Sequence, residues 1–167
     1  MFYRDREPGG TAAVIVGKAV GQQSSIIQGP SVREQAGFSA SSILRGGEVP
    51  FIYMVDDEPL LTELYTAILE GAGYAVRAFN DRAEALSAMQ FDWKKPALLI
   101  MDYLGHAMSV NRFLQRCLEL HPTLRILMAS GFYEADARCL CLKPNRFIQK
   151  PFTVETFLNE VSAALAA

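Results

Sequence analysis

From Val49 onward, short apolar runs alternate with stretches of helical spacing. Phe51 to Val55 is apolar throughout. The segment PLLTELYTAILEGAG then sets Leu60, Leu61, Leu64, Ile68 and Leu69 at helical intervals and stops at Gly71 and Gly73. YAVRAFN alternates, and DRAEALSAMQF follows as a helix with Asn80 or Asp81 as its cap. The apolar run ALLIM precedes a helix over VNRFLQRCLEL. RILMA precedes a short helix over EADARCLCL, and RFIQ precedes a closing helix capped by Thr153. Strand and helix thus alternate five times, which predicts a five-stranded parallel sheet with helices on both faces. The unbroken apolar strands near 51, 97 and 125 suit the middle of such a sheet, and YAVRAFN suits an edge.

Residues 1–49 follow no such order. They carry eight of the twelve glycines, among polar clusters such as Gln22 to Ser25 and Ser39 to Ser42. This composition predicts a disordered arm, or upstream sequence read through from a misplaced start codon, ahead of one domain over 50–167. AAVIV could pair as a stray strand, but no hairpin partner lies nearby. The formal charge of −2 gives no electrostatic case for nucleic acid. The apolar stretch Thr11 to Val20 is too short to span a membrane, and no signal-peptide pattern precedes it. Cys117, Cys139 and Cys141 form no disulfide or zinc pattern, as expected of reduced thiols in a cytoplasmic protein.

The chemistry lies where the apolar strands stop. Asp56 and Asp57 follow FIYMV, Asp102 follows LLIM, Ser130 follows ILMA, and Lys150 follows FIQ. A parallel sheet gathers all strand C-termini on one edge, so these residues should meet. Three crowded carboxylates repel one another, and a hard divalent cation such as Mg2+ relieves that repulsion. A carboxylate oxygen of Asp102 could then attack phosphorus, with Lys150 and Ser130 holding phosphoryl oxygens. Taken singly, each residue has a plainer reading. Asp102 could cap a helix, Asp56 and Asp57 could be a solvated turn, Lys150 could be a surface lysine, and Phe147 could be core.

In this order and on these strands, MVDDEP, LLIMDY, ILMASG and FIQKPF resemble the receiver domain of bacterial response regulators, over about residues 50 to 167. The resemblance implies a doubly wound, flavodoxin-like sheet of order 2-1-3-4-5. It implies that Asp102 is the phosphoacceptor, supplied by a histidine kinase or a histidine phosphotransfer protein. Asp57 would bind Mg2+ directly with Asp56 beside it, and the Leu104 backbone carbonyl would complete the protein ligands. Ser130 matches the switch hydroxyl, Phe147 the switch aromatic and Lys150 the family lysine, with a cis Lys150–Pro151 bond. A partner would dock on the face of the fourth helix, fifth strand and last helix. By the same resemblance, Leu104 and Phe132 would flank the path of the hydrolytic water. Both are apolar, which implies slow self-dephosphorylation rather than enzymatic turnover.

The chain departs from the family pattern after Asp102, where Gly105, His106 and Val110 stand in place of the usual Met-Pro and Gly. The sequence EADARCLCL predicts a short fourth helix. The chain closes at AALAA after the last helix, so the expectation is a stand-alone receiver without direct nucleic-acid or membrane binding. Two other readings remain. One is an aspartate-nucleophile phosphatase, which typically carries a second aspartate where this chain has Leu104. The other is a degenerate receiver that binds partners without phosphorylation.

Overall fold

The computed structural model describes the backbone of Ile15–Val16 and residues 49–103, 108–131 and 143–166. The chain runs through β1 (Ile15–Val16), β2 (Phe51–Val55), α1 (Pro59–Gly71), β3 (Ala75–Phe79), α2 (Arg82–Phe91) and β4 (Leu98–Asp102). It continues through α3 (Val110–Leu120), β5 (Arg125–Ser130), β6 (Arg146–Gln149), β7 (Phe152–Thr153) and α4 (Val154–Ala166). Five parallel strands form one sheet in the order β3-β2-β4-β5-β6, which is the expected 2-1-3-4-5 arrangement. The alternating segment becomes the edge strand β3, and the three apolar runs become the central strands β2, β4 and β5.

The apolar runs are unbroken because the central strands are covered on both faces. Ile52 and Met54 of β2, Leu98 and Ile100 of β4, and Leu127 and Ala129 of β5 pack with Tyr65 and Leu69 of α1 and Phe157 and Val161 of α4. The intervening residues, Tyr53 and Val55, Leu99 and Met101, Ile126 and Met128, pack with Met89 of α2 and Phe113 and Leu114 of α3. Successive residues of a strand face opposite ways, so two separate cores share one sheet. The helix ends are set locally. Pro59 occupies the first turn of α1, and Gly73, with φ of 95°, ends the chain's path out of that helix. The Asp81 side chain accepts from the Ala83 and Glu84 amides at 2.7 and 3.3 Å and caps α2. Thr153 Oγ1 accepts from the Thr156 amide at 3.1 Å and caps α4.

One pairing has no local signal in the sequence. Ile15 and Val16 lie antiparallel to Thr153 and Phe152, far along the chain. The short helix expected over 134–142 lies outside the described residues, as do Cys139 and Cys141, His106 and the remainder of residues 1–48. No described helix is long and apolar enough to cross a membrane. At the opposite end of the sheet from the strand C-termini, between α2 and β4, Trp93 is 93% exposed.

Cys117 sits in the α2–α3 core, and burial pushes its thiol from 9.0 up to about 12. The unfolded chain therefore ionises first as pH rises. The stability this thiol contributes is full below about pH 9 and is lost as pH rises towards 12. Folded protein at about pH 8 should resist alkylation of Cys117 by iodoacetamide, and unfolding in urea should expose it. Modification of Cys117 in folded protein, mapped by peptide mass spectrometry, would contradict this assignment.

Candidate functional site

Four of the five strands, the central β2, β4 and β5 and the edge strand β6, each deliver a polar residue to the same edge. Asp56 follows β2 and is 2% exposed, Asp102 ends β4 at 7%, Ser130 ends β5 at 1%, and Lys150 follows β6 at 7%. The sheet register brings them together. Asp102 lies opposite Ala129, Ser130 lies opposite Gln149, and the Lys150 amide donates to the Ser130 carbonyl at 2.7 Å. Lys150 Nζ then reaches across, donating to Asp56 Oδ2 at 2.9 Å and to Asp102 Oδ1 at 3.2 Å. One buried ammonium thus bridges two carboxylates from different strands. Such a bridge offsets the desolvation of its members only when the charges stay paired. The Lys150–Pro151 bond is cis, as the resemblance implied.

Asp56 is also held from other sides. Its Oδ1 accepts from the Glu58 amide at 3.0 Å, just before α1. Its carbonyl accepts from Asn80 Nδ2 at 3.1 Å, and the same nitrogen donates to Thr62 Oγ1 at 3.0 Å. Asn80 is therefore a brace between β3, α1 and the end of β2, while its neighbour Asp81 does the capping. Tyr65 of α1 closes the site from below. Lys150 Nζ stands 5.7 Å from the Tyr65 ring centroid, and the ring packs on Phe152 and Phe157. Burial, reinforced by the charges of Asp56 and Asp102, pushes the Tyr65 phenol well above its ordinary range, so it stays neutral.

Asp57, next to Asp56, is exposed. Phe147 is half-buried on β6, packed against the α2–α3 core. Leu104 and Phe132 lie outside the described residues. Arg82 went unnoticed in the sequence, yet it is 1% exposed and its guanidinium donates to the carbonyls of Asp102 and Tyr103 at 2.9 and 3.0 Å. The charges of Asp102 and Asp57 reach it as well. A signal was present. Arg82 shares the buried stripe of α2 with Ala85 and Met89, and a cation in the first turn opposes the helix dipole. It therefore needed compensation from elsewhere.

Two cations, Lys150 and Arg82, thus stand among three carboxylates, Asp56, Asp57 and Asp102. The donors are all hard oxygens, and Mg2+ needs only one or two carboxylates plus waters and phosphate oxygens. Among the described residues, no three such groups converge tightly enough to enclose a metal by themselves. A cation here would keep open positions.

A family model for the response regulator receiver domain matches residues 52–162, nearly all of the five-stranded sheet and its helices. The chain belongs to the response regulator receiver family. This receiver is 27% identical over 124 residues to the response regulator receiver protein CpdR of Brucella abortus, covering 70% of this chain and 97% of that protein. It is 29% identical over 118 residues to the nitrogen assimilation regulatory protein NtrX of Azorhizobium caulinodans. That match covers 68% of this chain but only 26% of NtrX. Among solved structures, the receiver is similar to a CheY-like receiver from Methanospirillum hungatei JF-1. The TM-score is 0.64 at 22% identity, covering 71% of this chain and 95% of that one. It is also similar to the response regulator TrrA of Thermotoga maritima, solved in complex with Mg2+ and BeF, with TM-score 0.61 and 20% identity over 70% of this chain and 99% of that one.

Proposed function

We propose that this receiver takes a phosphoryl group from a phosphohistidine onto Asp102 and signals through a protein partner in the cytoplasm. The observation that carries the reading is the buried Lys150 bridge to Asp56 and Asp102 at the C-terminal edge of a receiver sheet. A carboxylate oxygen of Asp102 attacks phosphorus, the P–N bond to the donor imidazole breaks, and an aspartyl-phosphate remains. The leaving imidazole takes up a proton. Lys150 pairs with a phosphoryl oxygen, and Ser130 donates to another. Asp57, Asp56 and Asp102, with the Leu104 carbonyl, are the residues that would hold Mg2+. Bound there, Mg2+ would neutralise charge between the carboxylates and the incoming phosphate. TrrA's complex with Mg2+ and BeF on the same fold supports this choice of ion.

The donor in this reading is a histidine kinase or histidine phosphotransfer protein. The readout is a change of shape. Phosphorylation draws Ser130 inward and lets Phe147 rotate towards the core, altering the face of β6 and α4 for a partner. The deciding experiment incubates purified protein with acetyl phosphate and Mg2+ and reads intact mass. One added phosphoryl group supports the proposal, and no adduct at any Mg2+ concentration overturns it.

Two narrower outcomes are expected. Asp57 is exposed, so Asp57→Ala removes a ligand without opening the core. Mg2+-dependent phosphorylation should fall by at least the roughly 10–100-fold that even outer partners of a metal are worth, with an unchanged melting curve. A normal rate would remove Asp57 from the metal site. The second outcome concerns lifetime. Replacing Leu104 with Asn and Phe132 with Glu adds groups that can orient a water. Decay of the phosphorylated protein should quicken, within the roughly 10²–10⁴-fold that acid–base help supplies. Equal decay in the double variant would show that these positions do not govern access.

A further inference from the structure

We propose that Tyr65 is a positioning residue of the phosphoryl site, its buried hydroxyl being the donor that Asp56 accepts from when Lys150 turns to a phosphoryl oxygen. The inference rests on the reading of Asp102 as the phosphoacceptor.

Packing does not account for the hydroxyl. Tyr65 is fully buried on α1, and its ring centroid lies 5.8 Å from that of Phe152 and 5.1 Å from that of Phe157. A phenylalanine would fill that aromatic cluster without bringing a polar atom into it. Among the described residues the Tyr65 hydroxyl has no hydrogen-bond partner. A buried donor in that state carries a desolvation penalty that nothing in the resting arrangement returns. Its acceptor is therefore one that another donor occupies at rest.

The surroundings identify that acceptor. Lys150 Nζ stands 5.7 Å from the Tyr65 ring centroid and donates to Asp56 Oδ2 at 2.9 Å and to Asp102 Oδ1 at 3.2 Å. Asp56 is the charge that acts most strongly on the phenol, ahead of Asp102 and Glu58. Burial and these charges keep the phenol protonated, so it is available as a donor. Asp56 Oδ1 is held by the Glu58 amide at 3.0 Å, whereas Oδ2 is held by Lys150. When Lys150 pairs with a phosphoryl oxygen, Oδ2 loses that donor at a residue only 2% exposed to water. A bond from the Tyr65 hydroxyl replaces it and keeps Asp56 ionised and aligned. An ionised carboxylate accepts at about four sites, so Asp56 can still meet a cation. Tyr74 supplies the contrast. Its hydroxyl is also buried and unpartnered among the described residues, but burial alone raises its phenol.

The experiment compares the full-length wild type, Tyr65→Phe and Tyr74→Phe in two measurements. One is the urea midpoint without Mg2+, and the other is the affinity for beryllofluoride, a phosphoryl mimic, in Mg2+ by calorimetry. Tyr65→Phe should melt at or above the wild-type midpoint, because it removes an unpartnered buried donor. It should bind beryllofluoride roughly 10–100-fold more weakly, the worth of one hydrogen bond to a charged group. Tyr74→Phe should keep wild-type affinity. Wild-type affinity in Tyr65→Phe overturns the proposal. A lower midpoint or a failure to fold in Tyr65→Phe also overturns it, since the hydroxyl would then be partnered at rest. An equal loss of affinity in Tyr74→Phe does the same, because any buried hydroxyl would then matter as much. A wild type that binds no beryllofluoride in Mg2+ overturns the reading of Asp102 itself, and the role of Tyr65 with it.

Discussion

Asp102→Asn is expected to abolish labelling by acetyl phosphate while leaving the protein folded. The substitution keeps the shape of the side chain and an oxygen for Lys150, which sits 3.2 Å from Asp102 Oδ1. It removes the anionic oxygen that would attack phosphorus, and the buried carboxylate beside it, Asp56, is already engaged. Asp56 is 2% exposed and bound on both oxygens, to the Glu58 amide and to Lys150. The change also removes one negative charge from a crowded set, so the fold should lose little stability. Intact mass after incubation with Mg2+ and acetyl phosphate reads the first point, and a thermal melt reads the second. A phosphoryl adduct of wild-type yield on the folded variant would move the acceptor away from Asp102.

Lys150→Met should produce the largest loss of stability of any single change at the site. It leaves Asp56 and Asp102 facing one another in a nearly dry place, with their oxygens no longer bridged. Removing one partner of a buried pair costs about 3–5 kcal/mol, because the charge left behind is uncompensated. The variant should regain part of this loss in Mg2+, since a ligand bound only by the folded state adds about 2.7 kcal/mol at a hundredfold excess over its dissociation constant. Urea melts with and without Mg2+ measure both effects. A loss of less than about 1 kcal/mol would mean that the bridge behaves like an exposed ion pair. Equal melts with and without Mg2+ would leave the cation no part in offsetting those carboxylates.

Much of the fold could be read from the chain because its signals are local. Phe51 to Val55 and Leu98 to Met101 are unbroken apolar runs, and only a strand covered on both faces tolerates such a run. Asp102, Ser130 and Lys150 stood out because each ends such a run, and the parallel sheet then forces them to one edge. Arg82 did not stand out because its acceptors are backbone carbonyls, which have no signature in the sequence, and because Asp81 beside it already explained the helix start. Asn80 was weighed as a cap, whereas its side chain spans to Asp56 and Thr62, a tertiary contact that no spacing rule encodes. The pairing of Ile15–Val16 with Phe152–Thr153 was hidden for a similar reason, since its two halves lie at opposite ends of the chain. The roles of Leu104 and Phe132 rest on the resemblance alone.

The position of Trp93 decides how this protein can be watched. It is the only tryptophan in the chain and is 93% exposed, at the end of the sheet farthest from Asp102. Its indole sits in water, on the loop between α2 and β4 at the sheet end opposite the strand C-termini. Intrinsic tryptophan emission should therefore stay flat while Mg2+ binds or a phosphoryl group is added. An optical assay would need a fluorophore placed beside the site, and a silent emission trace from the native chain carries no information about its activity.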